Sequence, residues 1–323
     1  MAQTFTDFEV IMVNDGSKDN SGELCEEVAR EYSGKIKVFH QSNTGAGGAR
    51  NKAIKHAKGE YLAFFDIDDE IMPNWLAECH DYIIKYRPQI MMFGLKEIST
   101  NGKIEIKKFD LNFYESNDDF KKDYLRKFSG LNFNNGFLCN KIYERKFWDS
   151  TGKKIPDLRI QQDEVFNLSI YPLVERVLSI PDIYYIYYIY DKGNTRSHYI
   201  PERLEIYKTV RDSFLDLEEN WTGKNHEFEK YVYKRFYNCI FDVIGFNLFH
   251  PENNISKKEQ LKIIKDIYQD EDIIHSLRRA KELGVKPTGI FGKAYFKAIC
   301  NKSVFQFLAV RRIHKLISFF VKN

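Results

Sequence analysis

The sequence has few cysteines and no long apolar run. Five cysteines are scattered through 323 residues without a Cys-x-x-Cys pair. Neither a zinc site nor a disulfide framework is therefore indicated, and a reducing compartment is expected. No apolar stretch approaches the roughly 20 residues that cross a bilayer, and no charged leader with an apolar core opens the chain. These absences predict a cytoplasmic protein.

Motifs of several other ligand-binding classes are also missing. Gly45-Ala46-Gly47-Gly48 does not complete the G-x-G-x-x-G pattern of dinucleotide-binding enzymes, and no P-loop occurs. Asp66-Ile67-Asp68-Asp69 lacks the loop glycine and the twelfth-position glutamate of an EF-hand. Basic and aromatic residues form no known nucleic-acid motif and the net charge is only +3, so no nucleic-acid partner is expected.

An acidic cluster is the most informative feature that is present. The apolar run 61–65 ends abruptly at Asp66, Asp68 and Asp69. Carboxylates this close repel one another unless a cation neutralises them, and oxygen ligands suit Mg²⁺ or Mn²⁺. The acids alone leave a second explanation open, which is an Asx-rich turn or helix N-cap before Pro73.

Strand and helix patterns alternate before this cluster. The strand patterns lie at 8–13, 36–40 and 61–65. One helical pattern lies at 21–32, and a second follows the glycine-rich segment 43–51 and ends at about residue 58. This order predicts an α/β fold with a parallel sheet. Ligands gather at the carboxyl ends of such strands, so Asp15, the glycine-rich segment 43–51 and the acids at 66 and 68 are expected to converge.

Together these residues resemble the family 2 glycosyltransferases, which are inverting enzymes of the GT-A fold that use nucleotide sugars. The matching segments are Val13-Asn14-Asp15-Gly16-Ser17, Asn43-Thr44-Gly45 with Ala49-Arg50-Asn51, and Gly59-Glu60-Tyr61 with Asp66-Ile67-Asp68-Asp69. The resemblance covers roughly the first 100 residues well and continues more loosely to about 200. It implies a mostly parallel GT-A sheet flanked by helices in a catalytic domain at 1–200, followed by a helical region at 201–323.

The resemblance also implies roles for individual residues. Asp15 would contact the nucleobase, and Arg50 would lie near the base and the diphosphate. Asp66 would lie beside the ribose and the metal, and Asp68 would ligate the Mn²⁺ or Mg²⁺ ion. The ion would bridge the two phosphates and stabilise the departing nucleoside diphosphate.

A general base is expected in the segment Gln161-Gln162-Asp163-Glu164-Val165-Phe166. It resembles the family's Glu-Asp pair, followed by two residues and Phe, and places Asp163 on the base position. Gln162 stands where the family has glutamate, so Glu164 stays an alternative. Acids in the first turn of a helix are also stabilised by the helix dipole without any catalytic role.

Two further cations match the family pattern. Lys141 lies in a segment resembling the family's Asn-Lys-Leu-Tyr motif, which implies a contact with phosphate or acceptor; a solvated lysine is the alternative. Arg196 lies in 193–197, which resembles a mobile segment that closes over the diphosphate. An arginine fork suits phosphate geometry, although a plain hairpin turn also explains this segment.

The start of the chain departs from the family. Members normally have an apolar strand and a helix before the segment that corresponds to 2–9 here. The strand would lie beside the one that ends at Asp15, so without it an exposed sheet edge and an exposed apolar face are expected. A non-catalytic scaffold or interaction protein is therefore the alternative function.

After residue 200 the sequence predicts helices at 201–220, 227–249 and 256–268. The aromatic residues between Phe236 and Phe246 indicate core or a homodimer contact. The segment 304–322 combines bulky apolar residues with a basic cluster. Two interpretations stay open: a helix in contact with the inner face of the cell membrane, and a terminal helix docked in a groove.

The function expected from the resemblance is transfer of a hexosyl or hexosaminyl group from a nucleotide diphosphate, UDP in the first instance. The expected acceptor is a hydroxyl of a bacterial surface polysaccharide or a lipid-linked oligosaccharide.

Overall fold

The computed structural model describes residues 2–128, 136–190, 198–287 and 289–322. The chain divides into two compact units, which are residues 1–195 and 196–323. The boundary predicted from the sequence lies after residue 200.

The first unit begins with two β-α pairs. Strand β1 (Val10–Asn14) is followed by helix α1 (Ser21–Glu31), and strand β2 (Ile36–His40) by helix α2 (Gly45–His56). β1 and β2 pair in parallel, from Val10 with Ile36 to Asn14 with His40, as the alternation of patterns predicts. Their carboxyl ends therefore lie at the same edge of this sheet, next to the start of α2.

The larger sheet of this unit has seven strands. They are β3 (Tyr61–Ala63), β4 (Glu70–Ile71), β5 (Ile90–Ser99), β6 (Ile104–Lys107), β7 (Asn112–Tyr114), β8 (Lys141–Glu144) and β9 (Val177–Ile189). The order is β3-β8-β5-β9-β4, with β6 on β5 and β7 on β9. Among the described strands of this sheet, only β5 and β9 pair in parallel, and the other pairs are antiparallel. The sheet is therefore mixed, whereas a mostly parallel sheet was predicted. One reason is that β3 pairs in the antiparallel direction with β8, which lies far away in the sequence.

The middle of β5 forms the centre of the core. Residues Ile90 to Leu95 are fully buried, and their near-continuous apolar run is typical of a strand covered on both faces. Trp75 and Tyr184 pack edge-on against Phe93 in this core. The helices of the unit after α2 are α3 (Trp75–Tyr86), α4 (Asn117–Phe128), α5 (Arg145–Thr151) and α6 (Gln162–Ile170).

The predicted sheet edge is present in the structure. Within the described residues, β1 pairs only with β2, and β3 pairs only with β8. The apolar residues of β1 are all half-buried, and α1 leaves Leu24 and Val28 exposed. The Glu9 carboxylate accepts the backbone N–H groups of Lys58 and Gly59, which ties the start of β1 to the start of β3.

The described part of the second unit contains helices and connecting loops but no strand. Its helices are α7 (Arg203–Leu217), α8 (His226–Gly245), α9 (Lys257–Gln269), α10 (Glu271–Glu282), α11 (Gly289–Cys300) and α12 (Val304–Lys322). The three predicted helices are confirmed as α7, α8 and α9. Phe236, Tyr237, Ile240 and Ile244 are buried in the core of this unit, so this part of α8 is core. Among the described residues, no helix is both long and apolar enough to cross a membrane.

Candidate functional site

Asp15 joins the end of β1 to the start of α2. Its Oδ1 atom accepts hydrogen bonds from Gln41 Nε2 at 2.8 Å, from the Thr44 backbone N–H at 2.9 Å and from Thr44 Oγ1 at 3.2 Å. Gly16 makes this approach possible because its φ is +76° and a Cβ there would lie 3.0 Å from the Asn43 nitrogen. The position favours glycine strongly.

Arg50 brings two of the predicted acids together. Its Nη2 atom lies 2.6 Å from Asp66 Oδ1, and its Nη1 atom lies 2.8 Å from Asp163 Oδ1. The arginine side chain is only 15% exposed. Burial alone would lower the pKa of Arg50, but the charges of Asp163 and Asp66 raise it overall. Arg50 is therefore a permanent cation between a carboxylate that follows β3 and one that begins α6.

Asp163 lies in the first turn of α6, where the sequence places the candidate base. Burial raises the pKa of its carboxyl group, and the positive charge of Arg50 opposes part of this increase. The backbone N–H of Leu138 lies 3.4 Å from its Oδ2 atom. The next residue, Glu164, lies against Gly136, where an added Cβ would be 3.1–3.4 Å from the glutamate side chain. The two acids thus occupy different environments at the start of one helix.

The three acids after β3 also differ in environment. Asp66 is half-buried and paired with Arg50, whereas Asp68 is exposed. Asp69 is buried: its Oδ2 accepts the Tyr185 hydroxyl at 2.7 Å and its Oδ1 accepts the Tyr188 N–H at 2.9 Å. Burial raises the pKa of Asp69 to about 6. Asp66 and Asp68 are thus the acids of this loop that can reach a ligand.

The available carboxylates fit a metal ion that is bound jointly by protein and substrate better than an ion that is bound by protein side chains alone. The described residues contain no group of three His, Cys, Asp or Glu side chains arranged to hold an ion. Mg²⁺, however, is commonly bound by one or two carboxylates together with substrate phosphates. Arg50 engages Asp66 through Oδ1, so Oδ2 of Asp66 and the exposed Asp68 carboxylate are suitable ligands.

Lys141 is not the solvated lysine that the alternative interpretation predicts. Its side chain is fully buried, and its Nζ donates to the Phe137 carbonyl at 2.6 Å and to Asn140 Oδ1 at 2.9 Å. Burial lowers its pKa to about 7. Two acceptors match the two N–H bonds of a neutral amine. In this arrangement the Nζ atom of Lys141 is out of contact with solvent.

Lys141 belongs to a buried polar network beneath Asp163. Asn167 donates through Nδ2 to the Gly136 carbonyl at 3.0 Å and accepts the Tyr143 hydroxyl at 2.7 Å. Asn167 and Lys141 thereby fix the turn 136–138, and Leu138 of this turn donates to Asp163. Sequence reasoning did not identify Asn167, although the polar position within an otherwise apolar stretch of α6 is a usable signal.

Asn51 and Tyr185 were also missed. Asn51 donates to the Ile155 carbonyl at 2.8 Å and accepts the Ile155 N–H at 3.1 Å, which fixes α2 against 155–156. Gly47 permits this packing because a Cβ there would lie 2.6 Å from the Pro156 carbonyl oxygen. The Tyr185 hydroxyl donates to Asp69 and accepts the Asp66 N–H at 3.1 Å, so it fixes the acidic loop. The remaining predicted cation, Arg196, lies outside the described residues.

The mixed sheet flanked by helices, with the acidic loop after β3, defines a GT-A type of nucleotide-sugar transferase fold. The chain superposes on S. aureus TarS 1–349, whose crystal structure is a complex with UDP-GlcNAc, with a TM-score of 0.65. That match covers 98% of this chain and 85% of the TarS chain at 20% sequence identity. The same architecture is therefore shared at low sequence identity.

Residues 1–148 match the family model "Glycosyl transferase family 2". This part of the chain is similar to that family, which confirms the resemblance seen in the sequence.

Curated relatives agree with this assignment. The "Uncharacterized glycosyltransferase EpsJ" of Bacillus subtilis is 28% identical over 193 residues, which are 58% of this chain and 54% of EpsJ. The chain thus spans about half the length of this relative. The "Cholesterol galactosyltransferase" of Borreliella burgdorferi is 23% identical over 331 residues, which cover 99% of this chain and 91% of the relative.

The burial of Lys141 predicts a pH-dependent stability difference. A pKa lowered from 10.5 to about 7 means that the folded state binds fewer protons than the unfolded state between these pH values. Stability should therefore rise from pH 7 to pH 10, by up to about 1.4 kcal/mol per pH unit, and Lys141→Met should remove this rise.

Urea unfolding measured by tryptophan fluorescence tests this prediction in a Trp221→Phe background, because Trp75 and Trp148 then both report on the first unit. Lys154→Met, at an exposed lysine of the same unit, is the control for loss of a positive charge. An identical pH dependence in Lys141→Met and wild type would contradict the buried, proton-releasing lysine.

Proposed function

We propose that the protein is an inverting glycosyltransferase that uses a UDP-sugar and a divalent ion. The acceptor is a hydroxyl group of a polysaccharide or a lipid-linked oligosaccharide. The observation that carries the proposal is the pairing of Arg50 with both Asp66 and Asp163. This pairing brings an acid of the predicted donor-binding loop close to the predicted base. TarS, which shares the fold, has been crystallised with UDP-GlcNAc and with UDP.

The donor would lie along the shared edge of the strand ends. Asp15 is proposed to accept from the nucleobase through Oδ2, because all three of its described donors bond to Oδ1. Asp66 and Asp68 would hold Mn²⁺ or Mg²⁺ with the diphosphate oxygens. When bound, the ion supplies Lewis-acid stabilisation of the negative charge on the leaving diphosphate.

Asp163 is the proposed base. The acceptor oxygen attacks the anomeric carbon from the face opposite UDP, its proton passes to the Asp163 carboxylate, and the carbon–oxygen bond to the diphosphate breaks with its electrons moving to UDP. A single displacement of this kind inverts the configuration. A raised pKa makes the carboxylate a stronger base, and Arg50 keeps enough of it ionised to act.

Lys141 is assigned a different role from the one that the family resemblance implies. We propose that it positions Asp163 through the turn 136–138 and does not contact the donor. Its two hydrogen bonds to Phe137 and Asn140, both inside the protein, support this role.

Metal-dependent UDP binding tests the donor site. Calorimetric titration of UDP with Mn²⁺ should show binding that excess chelator abolishes, because the diphosphate would otherwise face Asp66 and Asp68 without a neutralising ion. Asp68→Ala should lose this binding, whereas Asp81→Ala, at an exposed acid on α3, should retain it. Equal UDP binding with chelator and with Mn²⁺ would refute the metal site, and no binding by a folded sample would support the scaffold alternative.

Neutralising the proposed base should separate chemistry from binding. Asp163→Asn keeps the shape of the side chain, so UDP affinity should change little while transfer falls by at least about 10²-fold, the usual scale for loss of a general base. UDP release from UDP-GlcNAc and other UDP-sugars, with and without candidate acceptors, measures transfer. Glu164→Gln is the matched variant on the same helix turn. Normal transfer by Asp163→Asn together with loss in Glu164→Gln would move the base to Glu164.

A further inference from the structure

The last two helices carry positive charge alone. The segment 289–322 contains seven lysine and arginine residues and no aspartate or glutamate, whereas the whole chain has a net charge of only +3. The rest of the chain is therefore net negative. Such a local excess of one sign is an interaction surface for a partner of the opposite sign.

α11 and α12 form an antiparallel hairpin with one face in the core of the second unit. Phe291 stacks on His314 with ring centroids 4.2 Å apart, which places the start of α11 beside the middle of α12. Phe307 is fully buried against Tyr295. Arg311 lies 3.7 Å from the centre of the Phe249 ring and donates to the Gly245 carbonyl at 3.2 Å. The hairpin is thus anchored, as the groove-docking interpretation expects for one side of the helix.

The other side of α12 exposes large apolar side chains. Phe305 is 82% exposed, and Ile313, Leu316 and Ile317 are each about half exposed. Ile313, Leu316 and Ile317 follow Phe305 by eight, eleven and twelve positions, so all four residues lie on one face of the helix. Ile290 of α11 is 84% exposed next to Phe291, so it lies at the same level of the hairpin as Ile313. We call these five residues the exposed apolar face.

Exposed basic residues accompany this face. Arg312 is exposed between the apolar positions, and Lys302 is exposed in the turn between the two helices. Bulky aliphatic and aromatic side chains beside lysine and arginine are the pattern of helices that lie in the interface of a membrane. Anionic lipids attract the basic residues while the apolar side chains enter the acyl boundary.

The charge pattern argues against the main alternative, which is a second copy of this chain. Two copies joined through this face would bring Lys302 and Arg312 of both copies together, and the segment 289–322 offers no carboxylate to balance them. Nucleic acid satisfies the charge, and its bases stack on aromatic rings such as Phe305, but it offers no apolar phase for Ile313, Leu316 and Ile317. A membrane that contains anionic lipid satisfies both requirements.

We propose that the α11–α12 hairpin binds the surface of membranes that contain anionic lipid, through the exposed apolar face together with Lys302 and Arg312. This inference does not depend on the proposed transferase activity. The residues involved all belong to the second unit, whereas the predicted nucleotide contacts in the described residues all belong to the first.

Co-sedimentation of the full chain with sucrose-loaded vesicles tests the proposal. Vesicles of phosphatidylcholine with 30% phosphatidylglycerol are expected to bind the protein at least about tenfold more strongly than pure phosphatidylcholine vesicles, and 0.5 M salt should weaken this binding. Leu316→Ser/Ile317→Ser and Lys302→Gln/Arg312→Gln should each reduce binding by about tenfold or more. Lys302 and Arg312 are exposed, so the lysine–arginine variant should keep the wild-type thermal unfolding midpoint. Leu316 and Ile317 are about half exposed, so the serine variant should lower the midpoint by only a few degrees and stay folded.

Lys257→Gln/Lys258→Gln is the matched control, because it removes two exposed charges of the same unit from α9. It should retain vesicle binding. Equal binding to neutral and anionic vesicles, or full binding by both hairpin variants, would overturn the proposal. A wild-type dimer that does not bind vesicles and that Leu316→Ser/Ile317→Ser converts to monomer would assign the face to self-association instead. UDP titration of every variant keeps a failure of this proposal distinct from a failure of the nucleotide site.

Discussion

The candidate site depends on one guanidinium group between two carboxylates. Arg50 holds Asp66 and Asp163, which are 97 positions apart in the sequence, within hydrogen-bond distance of the same side chain. Two largely buried acids near one another would otherwise repel and take up protons. Removing a partner of such a buried group leaves an uncompensated charge, which is strongly destabilising. Arg50 is thus required for the shape of the site before any substrate binds.

The same cation leaves the site short of positive charge. Arg50 balances one of its two partners, so one negative charge remains, and the exposed Asp68 adds a second. A doubly charged cation compensates this deficit, whereas a diphosphate alone would increase it. This charge balance supports the proposed metal ion independently of the family resemblance, and it explains why Asp69 must be kept apart. Its carboxylate is buried against Tyr185 and Tyr188, away from the ligand side.

A site residue could be predicted when the pattern that identifies it lies in the neighbouring sequence. Asp15, Arg50 and Asp66 could be found because each follows a short apolar strand or lies in the glycine-rich segment 43–51, and strand ends converge at one edge. The environment of Lys141 could not be predicted, because its burial depends on the turn 136–138 and on strands from distant parts of the sequence. Asn51, Tyr185 and Asn167 were missed for the same reason: their partners lie 24 to 119 positions away.

The fold shows a similar division. The helices of the second unit follow a local period of 3.6 residues and were predicted, whereas the pairing of β3 with β8 joins residues about 80 positions apart and was not. Among the described strands, parallel pairing is found between β1 and β2 and between β5 and β9, and the other pairs are antiparallel, since strand partners are chosen by tertiary packing.

The two proposals reinforce each other through the acceptor, although each stands on its own observations. A lipid-linked acceptor is confined to a membrane surface, so an enzyme held at that surface meets it at a higher effective concentration than an enzyme in free solution. Weak binding by one hairpin is sufficient for this purpose, because the enzyme must also leave and move between acceptors. Loss of the exposed apolar face should therefore slow transfer to a membrane-bound acceptor while transfer to a water-soluble analogue continues. That contrast separates a helix that brings the enzyme to its substrate from one that only completes the core.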